Sequence, residues 1–503
     1  MKILSMYLPQ FHRVKENDEW WGKGYTDWVS ARNAQSLFAG HYQPHIPQNQ
    51  YYYDLMDKST FEWQADLMKR YGIDGQCIYH YWFKDGRQIL EKPVENLLKW
   101  KEIDMPFCFS WANQSWANSW SAIKNVNVWC DERETKQQND NDNGLLLEQQ
   151  YGGEREWRSH FEYLLNFFKD SRYIKFDNKP VFVLYQAKEI IVLEEMVKCW
   201  NFWAKKEGFD GIFFVGAKNR DESLVDAVLD TEPQTAMHEM LQTLEYQELK
   251  ILDYKDVWEK IIDKAYMENN HMVGAFVGYD DTPRRGHLGY IIDHASPKIF
   301  RKYFTKLLAI QTIHNQPFMF INAWNEWGEG MHLEPDEKDG LMYLEAVSYA
   351  KKHYKEYLSE VINAEDSFYA KNRKTIAYYQ NKMDRYESYW RVMDKWLSLK
   401  EKGKTIKDIL IEKNIYTIVI YGVGMLGKHL ISDLSDGDVK IICAIDRNNV
   451  KHKYQFPVLS IDEEIPMTDA IIVTPSYDYP TIKRQLNKKG MNNVISIESL
   501  FDL

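Results

Sequence analysis

Cysteine is scarce and unpaired in this sequence: five residues in 503, at Cys77, Cys108, Cys130, Cys199 and Cys443, with no CxxC spacing among them. That excludes a disulfide scaffold and a thiolate metal cluster, and it reads as reduced, buried thiols in a cytoplasmic protein. A long basic run is also missing and the formal net charge is -11, which argues against nucleic acid or an anionic membrane surface as partner. No apolar stretch approaches the roughly 20 residues of a membrane span. The opening residues MKILSMYL carry too short an apolar run for a signal peptide and look like a first strand. The 14 histidines form no HExxH spacing and no GxSxG elbow is present, so neither a zinc hydrolase nor a serine hydrolase is indicated and a barrel chemistry without a cofactor or metal is expected.

Aromatic residues, by contrast, are plentiful: 15% of the chain, with 18 Trp and 33 Tyr. Several sit beside amides, as in Trp111-Ala112-Asn113-Gln114 and Trp116-Ala117-Asn118. An apolar face next to a hydrogen-bonding group suits sugars, whose C–H faces stack on rings while their hydroxyls need polar partners. Core filling accounts for part of this ring content.

Short apolar runs alternate with amphipathic stretches, the pattern of a parallel α/β protein. Strands are expected at 3–7, 75–82, 107–111, 181–185, 212–215, 227–231, 274–279 and 318–323. Eight strands over about 345 residues point to a (β/α)8 TIM barrel, whose active site forms at the C-terminal strand ends. The residues there are polar or aromatic: Tyr7, Gln10 and His12; His80, Tyr81 and Trp82; Trp111, Asn113 and Gln114; Tyr185; Glu232; Asp280 with Asp281; and Asn325, Glu326 and Trp327. Each has a structural alternative: a hydrogen-bonded core histidine for His12, packing rings for Tyr81 and Trp82, loop caps for Asn113 and Gln114, and a turn cap paired to Arg285 for the aspartates.

The segment 137–144 is too polar to pack and reads as an exposed loop. The domain plan is a catalytic barrel over 1–358, a helical linker over 359–413 and a small Rossmann-like α/β domain over 414–503. In the last, a strand leads into Gly422-Val423-Gly424-Met425-Leu426-Gly427 and a second strand ends at Asp446. Gly422, Gly424, Gly427 and Asp446 make the dinucleotide fingerprint, so a nucleotide or nucleotide-sugar is the expected ligand, with a purely structural role as the alternative.

Glu326 and Glu329 follow the last barrel strand three residues apart, which puts both carboxylates on one side of a turn. Crowded beside Trp324 and Trp327 they repel each other and lose solvation, which separates their pKa values into one acid and one base. Glycosidic bond cleavage requires that pair. A helix-terminal charge and a salt bridge are the plainer alternatives.

Tyr7-Leu8-Pro9-Gln10-Phe11-His12, Asn17-Asp18-Glu19-Trp20-Trp21-Gly22, Gly40-His41 with Gln43-Pro44, Tyr79-His80-Tyr81-Trp82-Phe83, Trp111-Ala112-Asn113 and Trp324-Asn325-Glu326-Trp327-Gly328-Glu329-Gly330 together resemble the WbsX-like polysaccharide biosynthesis proteins. That group is similar to glycoside hydrolase family 99, retaining endo-α-mannosidases. The resemblance covers about the first 355 residues and implies a barrel acting on an α-linked bacterial surface polysaccharide or its precursor. It also implies that Glu326 assists the sugar 2-hydroxyl as it attacks the anomeric carbon, and that Glu329 is the general acid and then the base. The sequence departs from the WbsX-like pattern at Gln114, where that pattern has Glu, and the departure bears on which glycan is read. Two other readings stand beside hydrolysis: a glycosyltransferase of O-antigen or capsule biosynthesis, and a non-catalytic carbohydrate-binding protein.

Overall fold

The computed structural model describes residues 1–117, 145–217, 222–241, 249–446 and 454–501. The polar segment 137–144, Asn118 and Cys130 lie outside the described residues. The chain divides into two compact units, Met1–Ser367 and Phe368–Leu503.

The first unit is a parallel barrel. Its strands are β1 (Lys2–Tyr7), β2 (Gly75–His80), β3 (Phe107–Trp111), β4 (Lys179–Leu184), β5 (Phe213–Ala217), β6 (Ala227–Asp230), β7 in two pieces (His271–Val273 and Ala275–Phe276) and β8 (Phe318–Asn322). They pair in sequence order from β1 to β6. The circle closes because β1 also pairs with β8, Lys2 opposite Phe318 and Ser5 opposite Ile321. The seventh strand differs from the expected 274–279. Its first piece pairs with β6 and its second with β8, and the break falls at Gly274, whose N–H donates to the Asp230 carbonyl at 3.0 Å. Tyr279–Asp280 leaves the barrel and joins a three-stranded sheet with Tyr290–Asp293 and Lys250–Asp253.

Helices cover the outside because their apolar residues recur at helical spacing. Lys58–Tyr71 buries Phe61, Gln64, Ala65 and Met68 and stops at Gly72, whose positive φ of 83° lets its N–H reach the Met68 carbonyl. Helices Glu154–Phe168 and Leu193–Lys206 pack an aromatic layer on β3 to β5: Phe109 lies against Phe167 at 5.0 Å between ring centroids and Phe182 against Trp200 at 5.3 Å. Each such ring removed from water contributes roughly 2–3 kcal/mol. Much of the tryptophan content is therefore core, since Trp200, Trp258, Trp324 and Trp327 are fully buried.

Side-chain alternation decides what faces the mouth. His80 contacts His160 and Tyr163 of the helix layer, so its neighbour Tyr79 points into the barrel. Tyr7 likewise stacks on Phe61 and donates to Gln64 Oε1 at 2.9 Å, both on helix Lys58–Tyr71.

The second unit holds a five-stranded parallel sheet in the order Val458–Leu459, Lys440–Ile445, Thr417–Tyr421, Ala470–Val473, Val494–Ser496. This is the half-Rossmann arrangement, with the glycine-rich turn following its central strand. The long helix Leu358–Glu401 contributes Val392, Trp396 and Leu399 to this unit's core. Among the described residues, no helix is long and apolar enough to cross a membrane.

Candidate active site

Beyond β8 the chain forms a tight hairpin, Asn325–Glu326 paired antiparallel with Met331–His332, and Trp327–Glu329 is the single turn between them. Asn325 ties the hairpin to the first strand. Its Oδ1 accepts from Leu8 N–H at 2.8 Å and its Nδ2 donates to the Leu8 carbonyl at 3.0 Å. Trp327 stacks on His332 at 3.8 Å and donates its indole N–H to Glu334 at 2.8 Å. Both side chains are fully engaged in holding the turn, which fixes where Glu326 and Glu329 emerge.

One guanidinium joins the two acids. Arg284 Nη2 donates to Glu326 Oε2 at 3.2 Å, Nη1 donates to Glu329, and Nη2 also reaches both oxygens of the buried Asp27 at 3.1 and 3.2 Å. Asp27 in turn accepts from the Gly328 backbone N–H at 3.3 Å. A Cβ on Gly328 would stand 2.8 Å from both Arg284 Nε and Asp27 Oδ2, so glycine is required for this close approach. Burial, and then the charge of Glu329, push the Glu326 carboxyl up to about 8 against the pull of Arg284. Burial opposes the charge on Arg284, but Asp27, Glu329 and Glu326 outweigh it and hold the guanidinium firmly protonated. Burial and the neighbouring carboxylate thus favour the protonated form of Glu326, next to a cation shared by three acids.

Phenols surround this group. Tyr79 and Tyr185 meet edge to face at 5.8 Å. Burial raises Tyr79, Tyr81, Tyr185 and Tyr279, and the charge of Glu326 or Glu329 raises each further. Tyr25, beside Asp27, is pushed up to about 12 by burial and that carboxylate. The mouth thus offers protonated hydroxyl donors and ring faces around two carboxyls, the combination a sugar ring needs.

The structure brings together Glu326, Glu329, Tyr81 and Tyr185 from the sequence-derived set, with Gln10 adjacent through its carbonyl, which accepts from Asp27 N–H at 3.2 Å. Other members lie elsewhere. Tyr7, His80, Trp82 and Trp111 belong to the helix side of the wall: Trp82 stacks on His160 at 4.5 Å, Trp111 donates to the Trp82 carbonyl at 3.1 Å, and burial lowers His80 to about 3. His12 is buried with Nδ1 on the Pro9 carbonyl at 2.9 Å. Asn113 bridges Tyr151 and the Gln186 backbone, and Gln114 accepts from Gln186 at 3.2 Å. Glu232 is fully buried, accepts from Ala236 N–H at 2.9 Å, and is pushed up to about 8 by burial. Asp280 receives His41, Gln43 and Thr282, and Asp281 pairs with Arg285 at 3.3 Å, the turn-cap arrangement. Sequence reasoning missed Asp27, Tyr79 and Arg284. The one available signal for Arg284 was that two crowded carboxylates at a strand end require a cation.

In the second unit, Gly422 has a φ of 93° and a Cβ on Gly427 would collide with the Gly422 carbonyl, so the turn is tight and the helix packs closely on the strand. Among the described residues, nothing stands within 4 Å of where a Gly424 Cβ would be, at the start of helix Met425–Asp433. Asp446 Oδ2, however, accepts from Val423 N–H at 2.8 Å and braces the loop itself.

Comparisons with known proteins show the family of this chain. A family model described as Glycosyltransferase WbsX matches residues 3–347. Two curated relatives from strains of Xanthomonas campestris pv. campestris, each described as Uncharacterized protein WxcX, are 27% identical over 374 residues, covering 71% of this chain and 51% of theirs. The chain thus spans about half the length of the curated relatives it matches. Among solved structures, a GH99 endo-alpha-mannosidase from Bacteroides thetaiotaomicron in complex with BIS-TRIS-propane aligns at 15% identity and a TM-score of 0.43, over 71% of this chain and 98% of that one. A glycoside hydrolase-like protein aligns at 12% identity and a TM-score of 0.42, over 69% and 93% respectively. With a family model covering most of its length, this chain belongs to the WbsX family.

Proposed function

We propose that the barrel is a glycoside hydrolase-like enzyme that cleaves an α-linked bacterial surface polysaccharide or its precursor with Glu326 and Glu329 as its carboxyl pair. The observation that carries this reading is Arg284 spanning both acids, with the Glu326 carboxyl raised by burial and by the charge of Glu329. One member supplies a proton to the leaving oxygen and the other accepts one, with the sugar 2-hydroxyl attacking its own anomeric carbon and water then opening the anhydro intermediate. The family resemblance puts the acid on Glu329, whereas burial favours the protonated form of Glu326. Arg284 bridges both acids, so a substrate that displaces the guanidinium changes the electrostatic balance between them. The free thiols Cys77 and Cys108 support a reducing, cytoplasmic setting.

Incubating the full chain with α-linked capsule or O-antigen polysaccharides, without any nucleotide donor, tests the reading. New reducing ends are expected from the wild type and none from Glu326→Gln or Glu329→Gln. Absence of new ends from the wild type across such a panel contradicts hydrolysis.

A second reading, a glycosyltransferase, is favoured by the family's own description and by the open ground at Gly424, where the phosphates of a nucleotide-sugar would sit. Consumption of a UDP- or GDP-sugar, lost in a Gly424→Val variant, would establish it.

A further inference from the structure

Three donor side chains meet beside the turn that carries Glu326 and Glu329. His45 Nδ1 and His332 Nε2 lie 2.8 Å apart, and the ligand atoms of His45, His332 and Asp336 all lie within 4.8 Å of one another. His332 Nδ1 is 3.0 Å from the Glu334 carbonyl. A carbonyl only accepts, so the His332 proton sits on Nδ1 and Nε2 presents a lone pair towards His45. A backbone carbonyl holding the distal N–H is the usual support of a metal-binding imidazole. Asp336 is buried at 5% exposure, and its carboxylate takes only the Asp339 backbone N–H, at 2.6 Å, among hydrogen-bond donors of the described residues. The neighbouring Lys338 ammonium lies over the Tyr42 ring, 4.6 Å from its centroid. A buried carboxylate beside two imidazoles that makes no ion pair with a lysine or arginine among the described residues is only partly compensated for its desolvation.

We propose that His45 Nδ1, His332 Nε2 and the Asp336 carboxylate form a site for a divalent transition ion of the zinc class, which ties the 41–48 segment to the hairpin carrying Glu326 and Glu329. Tetrahedral zinc holds nitrogen and oxygen ligands about 3.3 Å from one another. The imidazoles open slightly and the Asp336 side chain swings in to complete that geometry, leaving a fourth position to water. On binding, the His45 proton moves from Nδ1 to Nε2 and the His45–His332 hydrogen bond is replaced by two metal–nitrogen bonds. The site is stapling in character, because His332 is the ring on which Trp327 stacks. Sequence spacing could not reveal it, since the two histidines are 287 residues apart.

The test is titration of the chelator-treated full chain with Zn2+ by calorimetry and with Co2+ by visible absorption. One equivalent is expected to bind, with a Co2+ ligand-field band that Zn2+ abolishes and a rise in melting temperature. Asp336→Asn and His45→Gln are expected to lower Zn2+ affinity at least tenfold while their metal-free circular dichroism matches the wild type. Neither substitution alters His332 or Trp327 themselves, whose rings stack at 3.8 Å. No saturable uptake by the wild type, or unchanged affinity in both variants, overturns the proposal and leaves a His–His hydrogen bond.

Discussion

Arg284 Nη2 stands 3.2 Å from Glu326 Oε2 and donates to it while the same guanidinium holds Glu329 and Asp27. This single cation is what permits three acids to share one end of the barrel. Replacing it with the similarly sized neutral Met leaves them mutually repelling. Arg284→Met is expected to lower stability by about 2–3 kcal/mol, less than for a fully buried pair because Arg284 is half-buried, and to abolish turnover. Urea unfolding at neutral pH measures the first effect; stability equal to wild type would show that the acids do not depend on the guanidinium.

The raised Glu326 carboxyl gives a signed pH dependence. Its folded value, about 8, exceeds the ordinary 4.5. Between those values the folded state keeps a proton that the unfolded state has released, so its contribution to stability falls as pH rises from about 4.5 to about 8 and is level above. The loss amounts to up to about 5 kcal/mol. Glu232, also pushed up to about 8, acts in the same window, so the informative quantity is the difference between wild type and Glu326→Gln. That variant is expected to gain stability over wild type as pH is raised from 5 to 8. Parallel curves for the two proteins would place the proton elsewhere.

Gly328→Ala introduces a methyl 2.8 Å from Arg284 Nε and Asp27 Oδ2. The expected cost is about 1–3 kcal/mol of stability, with turnover reduced about 100-fold because the guanidinium moves off the carboxyl pair. Steady-state kinetics beside a thermal melt separates the two effects, and wild-type turnover would show that the close approach is dispensable.

Much of the frame was legible in the sequence for physical reasons. Buried parallel strands must be apolar runs, so β1, β3 and β8 were visible, and glycines at a strand-to-helix turn announced the second unit. The seventh strand was misplaced because Gly274 divides it between two neighbours and no local pattern signals a change of pairing partner. Phase was the harder problem. His80 and Tyr79 are adjacent, and only contact with helix Glu154–Phe168 shows that the histidine turns outward and the tyrosine inward. The acids Glu326 and Glu329 were evident from spacing, whereas Asp27 and Arg284 are 257 residues apart and meet only through the fold.

The most direct test of the account is to measure binding and cleavage of one α-linked oligosaccharide substrate by Glu329→Gln alongside the wild type. The account predicts binding within a few-fold of wild type and no detectable cleavage. Cleavage at the wild-type rate by that variant would contradict it.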